Sequence, residues 1–108
     1  MLVQLTRCEE AKQLLRKTMP IARRILGESE IVTLRMKWNY AVALCNDRGA
    51  TLDDFREAVA TLEGATPIAR RVLGNTHPLT SSIERVLQRA REIARAALHA
   101  HETPPVSA

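Results

Sequence analysis

Apolar residues return along this chain at the spacing of one helix face, not by strict alternation. Between residues 52 and 73, Leu52, Phe55, Val59, Leu62, Ala69 and Leu73 fall three, four or seven positions apart, and Thr66 is the polar interruption. A step of 47 residues back along the chain gives Leu5, Cys8, Lys12, Leu15, Met19, Ala22 and Leu26 in the same phase, with a lapse at Lys12. Ile31, Leu34, Trp38, Ala41 and Cys45 form another such stripe, widened by Tyr40 and Leu44. Ile83, Val86, Ala90, Ile93 and Ala97 form a fourth, with Leu87, Ala94 and Leu98 beside it. The pattern predicts helices in all these segments and strands in none.

The punctuation between the stripes agrees. Gly27 and Gly74 each follow a leucine at the end of a stripe, where a left-handed C-cap costs glycine nothing sterically. Thr51 with Asp54 reads as a capping box after the loop "NDRGA". His77 and Pro78 open the last helix, where a missing N–H is harmless. Pro20 and Pro67 fall inside stripes, and an interior proline costs about 3 kcal/mol in lost bonding and crowding. Because the apolar phase runs through both without a slip, a kinked single helix is preferred in each case. A true break with Thr66 as N-cap is the alternative.

The string "PIARRILG" at residues 20–27 recurs as "PIARRVLG" at 67–74. The repeated unit is longer than those letters: a helix ending in "RRxLG", a short turn, and a second helix starting about four residues later, which is a helical hairpin at a solenoid period. A phosphate-cradling loop places its glycines ahead of a helix. Here each glycine follows one, so the duplication is structural.

Composition narrows the class further. A chain of 108 residues with 45% apolar content suits one small domain or a short run of stacked units. The only aromatics are Trp38, Tyr40 and Phe55, which fits helices packed through small side chains. The net charge of +4 and pI near 9.7 favour acidic partners weakly. Cys8 and Cys45 show neither zinc nor disulfide spacing and read as buried small hydrophobes in a reducing compartment. No apolar run approaches the roughly 18 residues of a membrane span. The helical domain is expected over 1–100, and the polar, Pro-rich end 101–108 is expected to be disordered.

Catalytic chemistry finds no foothold. Asp53 and Asp54 belong to a helix cap, His77 to a helix start, and His99 with His101 to a fraying end. No enzyme, metal site or cofactor is expected.

The segments "EEAKQLLRKTMPIARRILGESEIVTLRMKWNYAVAL" and "DDFREAVATLEGATPIARRVLGNTHPLT" resemble tetratricopeptide repeats (TPR) of the kinesin light chain type. The likeness rests on Glu10–Ala11 and Glu57–Ala58, the two glycine turns, His77, Pro78 and Thr80, and on Thr33, Leu34, Asn39 and Ala41. It implies an all-α fold of antiparallel helix hairpins stacked as a short TPR-like α-solenoid of about four helices. On this register the chain runs from a second helix through a complete unit to a first helix without its partner. Open ends of that kind suggest a piece of a longer array, or a homo-oligomer formed through them.

The resemblance also implies a non-enzymatic, cytoplasmic protein–protein interaction module whose first helices line a peptide groove. Carried over by position, the peptide-binding residues are Arg35, Trp38, Asn39, Val42 and Asn46, joined by Ser82, Arg85 and Arg89 on the last helix. Asn amides both donate to and accept from a peptide backbone, and Arg forks hold carboxylates, so an extended acidic peptide or partner helix is the expected ligand. Trp38 also lies on a core stripe, and core packing competes with peptide contact there. Asn39 reads equally well as an exposed helix residue without a partner. Arg23, Arg24, Arg70 and Arg71 precede helix ends, where cations offset the macrodipole. Two rival functions stand beside this one: a self-assembling or structural spacer without a ligand, and a nucleic-acid binder. The second lacks interleaved aromatics and any reading motif.

Overall fold

The computed structural model describes residues 2–47 and 49–102, with side chains over 8–47 and 49–99. Four helices follow one another: α1 (Leu2–Ile25), α2 (Ile31–Asn46), α3 (Leu52–Leu73) and α4 (Pro78–Glu102). Among the described residues there is no strand, and no helix is long and apolar enough to cross a membrane. Helix α4 runs through residues 101 and 102, where the tail was expected to begin, and 103–108 lie outside the described residues.

Both internal prolines sit within unbroken helices. In each case a threonine just ahead of the proline turns its hydroxyl back onto the helix: Thr18 Oγ1 donates to the Leu14 carbonyl and Thr66 Oγ1 to the Leu62 carbonyl, both at 2.7 Å. Thr66 therefore donates within the helix and does not accept as an N-cap, which excludes the split. Gly27 and Gly74 carry φ of 93° and 91°. At Gly74 the accompanying ψ of 160° lies outside the left-handed helical well, in a region only glycine enters readily. The Thr51 capping box is complete: Asp54 N–H donates to Thr51 Oγ1 at 3.2 Å, and Thr51 N–H donates to Asp54 Oδ2 at 2.9 Å. His77 Nδ1 accepts from the Leu79 N–H at 3.0 Å, capping α4 with a side chain.

Successive helices pack as antiparallel hairpins, and among the described residues α2 is the helix packed against all three others. The core lies where α2, α3 and α4 meet. Leu34, Ala41 and Leu44 of α2, Ala58, Leu62, Ala65 and Ala69 of α3, and Ile83 and Ala90 of α4 are fully buried. The alanines let the helix axes approach, and the leucines fill the space between them. By contrast α1 supplies little to this core; Leu15 and Met19 pack against its edge. Cys8 and Cys45 are half-buried free thiols, more open than their stripes implied.

The lapse at Lys12 has a structural reason. Its side chain is buried, and Nζ lies 2.6 Å from Asp47 Oδ2 and 3.1 Å from Glu9 Oε2. Asp47 Oδ1 also accepts from the Gly49 N–H at 3.0 Å. The pair ties α1 to the connection between α2 and α3. Asp47 holds the Lys12 ammonium above its ordinary value, and Lys12 holds the Asp47 carboxyl below the usual range.

Two outcomes follow for stability. Replacing fully buried Leu44 by Ala lowers unfolding free energy by about 2–5 kcal/mol in urea titrations, while Val72→Ala, at a surface position, changes it by less than about 1 kcal/mol. Asp47→Asn lowers the thermal midpoint at pH 7. Because the Asp47 pKa is depressed in the folded chain, its contribution holds above the unfolded carboxyl value and fades as pH falls through the folded one. The gap between wild type and D47N therefore closes in strong acid.

Candidate functional site

Helix α2 is hemmed in on three sides and open on the fourth. Its open face carries Val32, Arg35, Asn39 and Asn46, all exposed, with Val42 partly covered. These positions recur every three or four residues and so form one strip along the helix. Beside the strip, Asn39, Val42 and Asn46 form one bank of a groove of about 440 Å³ whose other bank is Cys8, Ala11 and Leu14 of α1. One bank offers two amides, which can donate and accept, and the other offers apolar carbon.

A polar hub sets the angle between the banks. Arg16 Nε of α1 donates to Tyr40 Oη of α2 at 2.8 Å, and the Tyr40 hydroxyl donates to the Glu57 carboxylate of α3. Arg16 Nη2 also lies 3.6 Å from Glu57 Oε1, and its guanidinium stands 5.8 Å from the Tyr40 ring centre. Burial is the main reason the Tyr40 phenol is pushed above its ordinary pKa, so it stays a donor at neutral pH. A second clamp closes the α1–α2 turn, where Glu28 Oε1 accepts from Arg23 Nε at 3.0 Å and lies 3.5 Å from the buried Lys37 Nζ.

The sequence-derived site residues divide into groups. Asn39, Val42 and Asn46 meet at the groove, and Arg35 lies on the same strip. Trp38 packs partly buried against the core with its Nε1 enclosed and unpartnered, on the flank of α2 away from the groove. Ser82, Arg85 and Arg89 belong to α4 and do not line this groove. Arg89 is near enough to α2 for its charge to bear on the Cys45 thiol, although burial is the larger influence and pushes that thiol up. Among the described residues Arg35, Arg85 and Arg89 join no ion pair, whereas Arg23 and Arg70 are tied to Glu28 and Glu84. The α1 bank was missed by the sequence reading because Cys8 and Leu15 were counted as core and Leu14 lay off that stripe.

The duplication explains why the groove is open. Moved on by 47 residues, Asn39, Ala43 and Asn46 become Val86, Ala90 and Ile93, the flank of α4 that α2 helps to cover; Val86 packs on the core and Ala90 is fully buried. Among the described residues none occupies the matching place over α1 and α2. The other end of the chain differs. Leu34, Ala41, Leu44 and Cys45, which bury or half-bury α2, correspond to Ser81, Gln88, Arg91 and Glu92 on α4. The outer side of α4 is thus a polar cap. The two ends expected to associate thus differ in polarity.

Residues 1–29, which span the first "PIARRILG" string, match the family model of the tetratricopeptide repeat. Residues 1–29 are thus similar to a tetratricopeptide repeat, and the described helices form a short all-α, TPR-like stack. No curated protein and no solved structure matches it.

Tyr40→Phe removes the hydroxyl at the hub while leaving the ring in place. Arg16 and Glu57 are half exposed and can hydrate instead, so the expected loss in denaturant titrations is about 1 kcal/mol, without collapse of the fold.

Proposed function

We propose that this chain is a non-enzymatic protein–protein interaction module of the kinesin light chain-like TPR type, acting in the cytoplasm. Tetratricopeptide repeats as a class mediate binding between proteins. The observation that carries the reading is the open face of α2, where Asn39 and Asn46 stand along a groove with their amides available. An extended peptide laid on this face exchanges backbone hydrogen bonds with those amides and sets small apolar side chains against Ala11 and Leu14. Arg35 on α2 and Arg85 and Arg89 on α4, which join no ion pair among the described residues, supply guanidinium groups, so the favoured segment is acidic. Two free thiols, neither in a disulfide, suit a reducing compartment.

Fluorescence anisotropy against an array of acidic and neutral peptides tests this. Acidic peptides are expected to bind, with affinity falling as salt rises, and both Asn39→Ala and Arg35→Glu are expected to weaken binding by about tenfold or more. Binding that survives both substitutions removes the groove assignment. Equal binding of neutral and acidic peptides removes the charge preference.

A further inference from the structure

Helix α1 bears more apolar surface than its contact with α2 uses. Ala11, Leu14, Thr18, Ile21 and Ile25 recur at alternating steps of three and four, a continuous stripe beside the one that packs on α2. Leu14 is 66% exposed, Ile21 49% and Ile25 73%. The repeat supplies the comparison: Ile68, the counterpart of Ile21, packs against the core, and Ala65, the counterpart of Thr18, is fully buried. Over its Ala11–Ile21 part the stripe is therefore of the kind that a helix covers elsewhere in this chain, whereas Val72, the counterpart of Ile25, is itself 46% exposed.

Charges beside the stripe indicate which helix. Glu10, Lys17 and Arg24 lie along one edge at steps of seven, all exposed and none in an ion pair among the described residues. A second α1 laid antiparallel, with Lys17 at the midpoint, sets Glu10 of each copy opposite Arg24 of the other. The same register places Leu14 between Thr18 and Ile21 of the facing helix, and Ile21 between Ala11 and Leu14. A parallel in-register arrangement sets Glu10 beside Leu15 and Lys17 beside Ala22 of the facing helix, so the edge charges meet no opposite charge. The outer side of α4, polar at Ser81, Gln88, Arg91 and Glu92 with Leu98 as its exposed large apolar residue, offers less apolar surface for a head-to-tail contact than the α1 stripe.

We propose that a second copy of this chain docks on the α1 stripe, forming an isologous antiparallel α1–α1 dimer held in register by paired Glu10–Arg24 contacts. Lys17 faces its own copy near the two-fold axis and opposes the contact, which keeps the association reversible. This interface goes beyond the peptide-binding reading; the two share Ala11 and Leu14, which line the groove and belong to the stripe, so peptide and second copy compete for them.

Sedimentation velocity of the full chain over a concentration series tests the proposal. A monomer–dimer equilibrium is expected. Glu10→Arg alone and Arg24→Glu alone are each expected to raise the dimer dissociation constant by about tenfold, since each turns both symmetry-related attractions into repulsions. The combined E10R/R24E variant restores opposite signs and is expected to return the constant to within about threefold of wild type. Lys17→Gln tightens the dimer, Ile21→Glu abolishes it, and Arg95→Glu on α4 leaves it unchanged. Circular dichroism of each variant checks that its helix content is kept. A monomer at every concentration, or a dimer whose single charge reversals are not rescued by the double, overturns the interface. Peptide binding by the E10R variant separates the two readings, because its retention alongside lost dimerisation leaves the α2 face intact.

Discussion

A helix in a stacked array hides its apolar stripe only where another helix lies over it, and every other property of this chain follows from how many neighbours each helix has. Helix α2 has three, so Leu34, Ala41 and Leu44 disappear from solvent entirely. Helix α1 lies against α2 alone at close backbone range, and its second apolar stripe stays in contact with water. The contrast between Ile21 and Ile68 isolates the effect, since both stand in the same repeated string and differ in what covers them. Burial here is a property of position in the stack more than of local sequence.

With few core residues of its own, α1 is fixed largely by polar ties. Lys12 reaches Asp47 at one end, Arg16 joins Tyr40 and Glu57 in the middle, and Arg23 shares Glu28 with Lys37 at the turn. Each tie partners a group that burial would otherwise penalise, which gives it directional value beyond its modest net energy. Together they set the two banks of the groove: amides on α2 and apolar carbon on α1.

The two ends of the chain show how one repeat is adapted to different surroundings. On α4 the positions that would receive a further helix have become Ser81, Gln88, Arg91 and Glu92, and Arg91 is occupied by a contact to Glu63. On α1 and α2 no such exchange to charge has occurred along the stripe. A polar side chain on an outer face removes the gain from association, whereas an apolar one leaves it available to whatever fits. The charged edge of Glu10, Lys17 and Arg24 then discriminates among partners by sign and register.

The sequence alone determined the helices and their pairing into hairpins. Periodicity at three and four, the Thr51–Asp54 capping box, the glycine turns and the 47-residue duplication are local signals, governed by backbone geometry within a few turns. The resemblance to kinesin light chain-type repeats also pointed to Asn39, Val42 and Asn46, carried over by position. Tertiary structure decided the rest. Lys12 read as a flaw in a stripe until Asp47, distant in sequence, stood beside it, and the alternative of Thr66 as an N-cap stood open until its hydroxyl turned back on Leu62. Trp38 and Asn39 are adjacent in sequence, yet one faces the core and the other the groove. Only the placement of α1, α3 and α4 around α2 separates them, because exposure depends on what lies across a gap and not on the residue itself.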